Sequence, residues 1–174
     1  MKLLSILRLI KEREKMFREL VRIKQKLSME DCVDVLKTEN RGVLSVNGDD
    51  GYPYGMPINH FYDERNGKIY FHIGNQRSHR LDSLKKSDKV SFCVFDAGYQ
   101  KPGEWAYNVR SVIVFGRMKI IDDMDMIVDI TTQLCRKFTD DEEYAKEEIR
   151  KDGHRTLLLE LTPENICGKL VNES

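Results

Sequence analysis

The feature that most constrains the fold is a series of short runs rich in β-branched and aromatic residues. Turn-forming segments at 48–51 and 63–67 separate the first three runs, as expected for hairpins. These three runs are therefore predicted to form two successive hairpins of an antiparallel meander. The predicted strands are residues 42–47, 52–60, 68–73, 89–95, 109–121, 155–161 and 166–171.

Helices are predicted at the margins of these strands. Ser28 and Asp31 form a capping box that opens a short helix, with Cys32, Val35 and Leu36 on one face. A second helix covers 78–86, a third follows Asp122 and Asp123, and a fourth opens at Thr139 and ends near Gly153. The third carries Ile127, Ile130, Leu134 and Phe138. Strands and helices do not alternate, so the pattern predicts an α+β chain built on a mainly antiparallel β-barrel with peripheral helices.

Residues 1–28 differ from the rest in composition and are predicted to form an amphipathic helix that extends a domain of residues 29–174. They carry nine basic residues against three acidic ones, and their apolar residues recur near helical spacing. Such a helix could bind an anionic membrane surface or nucleic acid, or pack on the domain or on a second subunit. We favour packing, because the whole chain has 29 basic and 29 acidic residues. This balance argues against general nucleic-acid binding.

The cysteines and the hydropathy pattern argue against several classes of protein. Cys32, Cys93, Cys135 and Cys167 lie far apart in the sequence, so no CxxC pair predicts a metal site or a redox dithiol. Isolated thiols are typical of a reducing cytoplasm. No apolar run approaches the ~20 residues of a membrane span, and the first residues fit neither a signal peptide nor an anchor.

The residues offer no strong catalytic motif, but they do suggest an anion site. The polar residues of the barrel half include Asn59, His60, His72, Asn75 and Arg77. Ser78, His79 and Arg80 begin the second helix, where free backbone N–H groups favour an anion. A phosphate pocket and a capped, solvated helix end are both compatible with this pattern.

Three other residues have open interpretations. His72 shares a strand face with Tyr70, and such a histidine is more often structural than a ligand. Pro57 cannot donate to a strand ladder, so it implies an edge, a bulge or a strand facing something other than protein. Trp105, the only tryptophan, is compatible with a core position or with a ligand cover.

Three segments together resemble the FMN-binding split-barrel proteins related to pyridoxamine 5′-phosphate oxidase. They are RGVLSVNGDDGYPYGMPINHFY, then KIYFH with SHRLDSLKKSDKVSFCV, and EWAYNVRSVIVFGRMKII. The order GxxYxxPxNxxY, YFH, a polar loop and HR-LD is closest to the nitroimidazole-resistance branch. The resemblance covers roughly residues 16–172 and implies a six-stranded split β-barrel that forms a homodimer, with FMN in two clefts at the subunit interface.

The resemblance also implies roles for individual residues. Pro57, Ile58 and Asn59 would line the flavin ring, and Tyr70, Phe71 and His72 would border the ribityl chain and ring. Ser78, His79 and Arg80 would hold the phosphate, while His72 would matter for reduction. Trp105, Arg110 and Ser111 would reach the cofactor from the other subunit. Asn75 and Arg77 lie in a loop that is one residue longer than in relatives, so which of Arg77, Ser78 and His79 touches the phosphate stays open.

Two functions follow as expectations. The first is an FMN-dependent oxidoreductase that passes electrons from NAD(P)H or another reduced donor to a small electron-poor acceptor, a nitro-aromatic or a quinone. The second is a non-catalytic module that binds or senses FMN or haem, since one fold serves both roles. Nothing in the sequence resembles the vitamin-phosphate substrate site of true pyridoxamine phosphate oxidases, so that activity is not expected.

Overall fold

The structure, a computed structural model, describes residues 17–172. Its helices are α1 (Met29–Thr38), α2 (His79–Lys86), α3 (Met124–Cys135) and α4 (Glu142–Asp152). Its strands are β1 (Arg41–Asn47), β2 (Pro53–Asn59), β3 (Phe61–Asp63), β4 (Lys68–Gly74), β5 (Lys89–Phe95), β6 (Tyr99–Gln100), β7 (Tyr107–Ile121) and β8 (Thr156–Asn172). The predicted α+β class with a mainly antiparallel sheet is confirmed.

The strands form one antiparallel sheet in the order β2-β1-β5-β7-β8-β4-β3, and β6 pairs with β7. Six strands have seven or more residues, while β3 and β6 have three and two. At the centre, β7 and β8 pair along almost their whole length, with a register shift at Phe115 and Gly116. A Cβ at Gly116 would clash with the Thr162 carbonyl oxygen of the paired strand. Glycine is therefore required at this register shift.

The strand alternation builds two cores on opposite faces of the sheet. Val112 and Val114 are fully buried on the inner face, where α1 closes one end with Val35 and Leu36. On the opposite face, the buried side chain of Tyr70 lies with residues of α3 and the end of β7. The sheet therefore buries apolar side chains on both faces.

Several local predictions are confirmed. The strand 89–95 has the predicted limits. The capping box of α1 is complete: the Ser28 hydroxyl accepts from the Asp31 N–H at 3.0 Å, and the Asp31 carboxylate accepts from the Ser28 N–H at 3.3 Å. The short range of these contacts explains why the sequence predicts them.

The predicted meander is wrong in its second hairpin. The turn at 63–67 joins β4 to the three-residue β3 and not to β2, and the other edge of β4 pairs with β8. The chain bends at His60, between β2 and β3, because that side chain is buried. The runs predicted at 155–161 and 166–171 form one strand, β8. Asp141 instead of Thr139 caps α4, and Phe138 lies beyond the end of α3.

The predicted N-terminal helix is not found in its described part. Residues 17–28 contain only the short 3-10 helix Ile23–Gln25, while residues 1–16 lie outside the described residues. The segment packs on the domain. The rings of Phe17 and Phe115 stack with their centres 5.6 Å apart, and the backbone of Lys26 forms an isolated antiparallel β-bridge with that of Lys169. The division of the chain at residue 28 stays a prediction. Within residues 17–172, no helix is long and apolar enough to cross a membrane.

The bend after β2 is held by the buried imidazole of His60. Its Nε2 lies 2.8 Å from the carbonyl oxygen of Leu36 in α1, so Nε2 carries the proton. Its Nδ1 is buried and has no hydrogen-bond partner in the described chain. Burial first, and then the charge of Lys137, lower the pKa of His60 to about 4. The ring is therefore neutral at pH 7.

This lowered pKa predicts loss of stability in mild acid. Between the folded pKa of about 4 and the ordinary histidine pKa of 6.5, the unfolded chain binds a proton that the folded chain excludes. We expect the free energy of unfolding to fall by on the order of 3 kcal/mol as the pH falls through this range. Urea unfolding of the wild type and His60→Gln at pH 6.5 and 4.5 gives, for each protein, the slope of the free energy of unfolding against pH. The exposed His154 provides the control variant, His154→Gln, and equal slopes for the wild type and His60→Gln would contradict the assignment.

Candidate functional site

The strongest indication of a ligand is the guanidinium group of Arg80. Ser78 caps α2 by accepting from the Leu81 N–H at 3.4 Å, which places Arg80 in the first turn of the helix. The Arg80 Nε is buried and has no hydrogen-bond partner within residues 17–172. Burial lowers the pKa of Arg80 from its ordinary value. A buried donor without a partner is costly, so an acceptor from outside the described chain fits here.

Side chains from three elements surround Arg80. The Tyr54 ring, from β2, stacks on His79 with ring centres 4.4 Å apart, and Tyr54 also interacts electrostatically with Arg80. The positive charge of Arg80 also interacts electrostatically with His72, from β4. We call Tyr54, His72, His79 and Arg80 the Arg80 cluster. It combines two imidazoles, a phenol and a cation at a helix N-terminus.

His72 faces solvent on the side of β4 opposite to the inner core. Its ring is accessible, yet the atoms packed around it, followed by the Arg80 charge, disfavour a second proton. The pKa of His72 is therefore lowered. A neutral imidazole can both donate and accept a hydrogen bond.

Asp49 fastens the β1–β2 turn to both ends of α2. Its carboxylate lies 3.3 Å from Nε2 of His79 and accepts from Nζ of Lys86 at 2.8 Å. The Lys86 hydrogen bond and charge lower the pKa of Asp49. This turn therefore forms one wall of the site.

A cavity of about 600 Å³ continues from the cluster along α2. Four of its six lining side chains can carry positive charge. They are Arg77, His79, Lys85 and Lys86, accompanied by Asp49 and Asp82. Because Arg77 is paired with Asp82 and Lys86 with Asp49, the cavity offers room for a group larger than one phosphate rather than a strong excess of positive charge.

Two loop residues predicted near the phosphate are engaged elsewhere. Arg77 Nε donates to Asp82 at 3.0 Å, and its side chain is 89% exposed. The Asn75 side chain reaches the His154 carbonyl at 3.4 Å, and its N–H donates to the Arg155 carbonyl at 2.8 Å. Of these two arginines, Arg80 and not Arg77 has a buried donor without a partner.

Tyr70 and Phe71 are buried, with 2% and 0% of their surface exposed. The Tyr70 hydroxyl donates to Glu160 at 3.1 Å and accepts from Asn66 at 3.0 Å. Burial and the Glu160 charge raise the pKa of Tyr70 to about 12. Both side chains are structural, so only their backbone could contribute to a ligand site.

The predicted ring-binding residues lie on two faces of β2. Ile58 packs against the inner core, whereas Pro57 and Asn59 alternate with it and face outwards. The Asn59 side chain accepts from Arg41 Nε at 2.9 Å. Pro57 therefore belongs to the outer face of the sheet.

That outer face carries an apolar row that crosses the sheet in register. Val43 pairs with both Pro57 and Cys93, Cys93 pairs with Ile113, and Ile113 pairs with Cys167. We call these five residues the outer-face row. Ile113 is 37% exposed and Phe115 beside it is 39% exposed, while Val112 and Val114 are fully buried.

Trp105, Arg110 and Ser111 lie at the other end of the long ladder. Arg110 pairs with Leu170 of β8, whereas His72 pairs with Leu158 of the same strand. Twelve residues of strand correspond to roughly 40 Å at ~3.3 Å per residue. Arg110 is also held by Asp96 at 2.7 Å and Asp34 at 2.8 Å, and Trp105 is 74% exposed. One subunit does not bring these residues to the Arg80 cluster.

Sequence reasoning missed Tyr54 and Asp49 as site residues. Tyr54 shares a strand face with the buried Met56, so its spacing alone predicts a core position. Its contact with His79 depends on how α2 packs against the barrel end.

A family model described as pyridoxamine 5′-phosphate oxidase matches residues 28–170. No curated protein sequence matches the chain significantly.

Three solved structures are similar to the chain. A candidate 5-nitroimidazole antibiotic resistance protein from Bacteroides thetaiotaomicron is 15% identical, with a TM-score of 0.68 over 84% of this chain and 87% of that one. An FAD- and haem-binding protein from Mycobacterium smegmatis is 23% identical, with a TM-score of 0.66 over 87% and 74%. An FAD-binding protein from Mesorhizobium loti is 18% identical, with a TM-score of 0.60 over 84% and 97%. These similarities confirm the split-barrel fold.

Proposed function

The chain belongs to the pyridoxamine 5′-phosphate oxidase family, and on that premise we propose that it is an FMN-dependent oxidoreductase. Its electrons would come from NAD(P)H or another reduced donor. They would pass to a small electron-poor acceptor of the nitro-aromatic or quinone type. The structural likeness to a candidate 5-nitroimidazole resistance protein supports this acceptor class.

The observation that carries the proposal is the unpartnered, buried Nε of Arg80. A flavin phosphate supplies the acceptor that this guanidinium lacks, and charge-assisted bonds of this kind are strong. The first turn of α2 adds backbone N–H groups and a favourable dipole at the same place. The residues present therefore fit a flavin phosphate.

The chain's own residues have distinct tasks in this proposal. Arg80 binds the phosphate, Tyr54 and Asp49 hold the His79 ring beside it, and neutral His72 donates or accepts a hydrogen bond at the flavin. Bound flavin would supply the redox chemistry, and the protein would supply binding and orientation. Pro57 and Asn59 would meet the ring from the outer face of β2.

FMN is the flavin we propose, although two of the similar structures are FAD-binding proteins. The cavity of about 600 Å³ beside His79 leaves room for a larger group. We expect the purified protein to show flavin absorbance and to release FMN when denatured, as identified by chromatography. Release of FAD would show that the cofactor is FAD and not FMN. A purified protein that is colourless and takes up neither added flavin would overturn the proposal.

Arg80 should distinguish FMN from riboflavin. Removal of its bonds to the phosphate in Arg80→Ala should cost roughly 1.5–3 kcal/mol. This corresponds to about a 10- to 150-fold weaker FMN affinity, with riboflavin affinity changed little. Quenching of flavin fluorescence measures both constants. Arg77→Ala is the matched control and should leave FMN affinity within about twofold, because Arg77 is exposed and paired with Asp82. Equal losses for FMN and riboflavin in Arg80→Ala would place Arg80 away from the phosphate.

His72 should matter more for turnover than for flavin affinity. Because its imidazole is neutral and accessible, His72→Ala should lower the rate of NAD(P)H oxidation with a nitroimidazole or quinone by about 10²-fold or more if it transfers a proton. FMN affinity should change only a few-fold. A variant that turns over as fast as the wild type would remove His72 from the reaction.

The alternative function is a flavin- or haem-binding module that catalyses no reaction. The similarity to an FAD- and haem-binding protein supports this alternative. The same assay separates the two functions. If the wild type binds flavin but oxidises no donor with any of these acceptors, the module is favoured. Haem would be recognised by its own absorbance.

We also propose that the protein is a homodimer. The outer-face row is apolar and half exposed, although an antiparallel sheet with one core normally presents polar residues outwards. An isologous two-fold contact across this face would cover the row. It would also offer a route for the partner's Trp105, Arg110 and Ser111 to approach the Arg80 cluster. An apolar, obligate interface of this kind should bury more than ~2,000 Å².

The dimer can be tested with a charge in the centre of the row. Ile113→Asp should dissociate it, because burial of an unpaired carboxylate is costly. Sedimentation should show twice 20.4 kDa for the wild type at low micromolar concentration and the single-chain mass for the variant. Val128→Asp, at a residue of α3 with similar exposure, should stay dimeric. A monomeric wild type that binds FMN would contradict the shared site.

A further inference from the structure

Lys137 is a half-buried cation that no part of the proposed mechanism uses. It follows the end of α3, and its ammonium group donates to two backbone carbonyls, those of Glu39 at 2.6 Å and His60 at 3.3 Å. No carboxylate in residues 17–172 forms an ion pair with its Nζ, whereas the neighbouring Lys37 and Arg65 each have one. A half-buried charge without an opposite charge beside it costs free energy, so the presence of a lysine at this position needs an explanation.

The two carbonyls belong to segments that lie far apart in the sequence. Glu39 ends α1, and two residues later Arg41 begins β1. His60 is the bend that follows Asn59, the last residue of β2. Lys137 therefore ties the segment before β1 to the segment after β2, at one corner of the sheet.

Further contacts in this corner lead to Asn59. The His60 N–H donates to the Asn40 carbonyl at 3.4 Å, and Arg41 Nε donates to the Asn59 side chain at 2.9 Å. Arg41 and Asn59 are also paired in the β1–β2 ladder. The position of the Asn59 side chain thus depends on segments that Lys137 holds together.

The groups facing Lys137 leave its charge without a close partner. A cavity of about 330 Å³ beside it contains two acids, but Asp63 is paired with Arg65 and Glu64 with Lys37, each at 2.8 Å. Burial raises the pKa of the remaining phenol, Tyr62, which stays neutral. Glu39 attracts Lys137 at longer range, and burial as the larger effect lowers the pKa of Lys137 to about 8. His60 is neutral, as described above.

We propose that Lys137 is a positioning residue that holds Asn59 in place at the ring end of the flavin site. This inference rests on the proposed function. The C-terminus of α1 favours a cation at this point, and an ammonium group can bind both carbonyls at once. An apolar side chain would remove both ammonium–carbonyl contacts and leave the corner to the His60–Leu36, His60–Asn40 and Arg41–Asn59 contacts.

The test compares Lys137→Met, Lys137→Arg and the exposed control Lys151→Met. We expect Lys137→Met to weaken riboflavin and FMN binding by the same factor, about tenfold, because the ring end is disturbed and Arg80 is intact. Arg80→Ala should affect FMN alone. Lys137→Arg should restore most of the affinity, and Lys151→Met should match the wild type. As the pH rises from 7 to 9.5, riboflavin affinity of the wild type should fall relative to Lys137→Arg, which keeps its charge. Unchanged riboflavin binding in Lys137→Met would overturn the inference.

Backbone hydrogen exchange gives a second readout that needs no flavin. In Lys137→Met the amides of residues 39–41 and 58–61 should exchange about tenfold faster, while those of β7 and β8 should not change. Equal exchange in the wild type and the variant overturns the role of Lys137. If the wild type binds no flavin, the proposed function fails, and faster exchange confined to this corner still shows that Lys137 positions Asn59.

Discussion

The pairing of β7 with β8 is the interaction on which the rest of the structure depends. The two strands, of 15 and 17 residues, pair at 14 positions and lie between all the other long strands. β5 joins one edge of this ladder and β4 joins the other. The ladder thereby holds His72 and Arg110 in one sheet, beside positions of β8 that are twelve residues apart. A single subunit has both groups of predicted site residues, but it does not bring Arg110 to the Arg80 cluster.

The partly buried cations of the described residues are informative because two of the four are paired with carboxylates. Arg110 binds two aspartates and Lys68 binds Glu160. Arg80 and Lys137 are the other two, and neither forms an ion pair within residues 17–172. An unpaired buried cation costs free energy, so each of these two cations needs a binding partner of another kind. We propose that Arg80 binds an external anion and that Lys137 positions the corner of the sheet by binding two backbone carbonyls.

The proposed site rests on two different parts of the fold. The phosphate end rests on the first turn of α2, which Ser78 caps and Asp49 fastens to the β1–β2 turn. The ring end rests on the outward residues of β2, an edge strand whose end is held through Arg41 and the Lys137 corner. Edge strands have one free ladder side, so side-chain and backbone ties must supply the rigidity that a second neighbouring strand would give.

Local chemistry let the sequence by itself determine much of this protein. The Ser28–Asp31 capping box, the β-branched and aromatic run at 89–95, and the helix start at Ser78 all depend on residues a few positions apart. They predicted α1, β5 and the placement of Arg80. Only the tertiary structure decided that β4 pairs with β8, that Tyr70 is buried against Glu160, and that Arg80 lacks a partner. These outcomes depend on contacts between residues as many as 92 positions apart, and neither hydrophobic periodicity nor capping specifies which distant strand or side chain will be the neighbour.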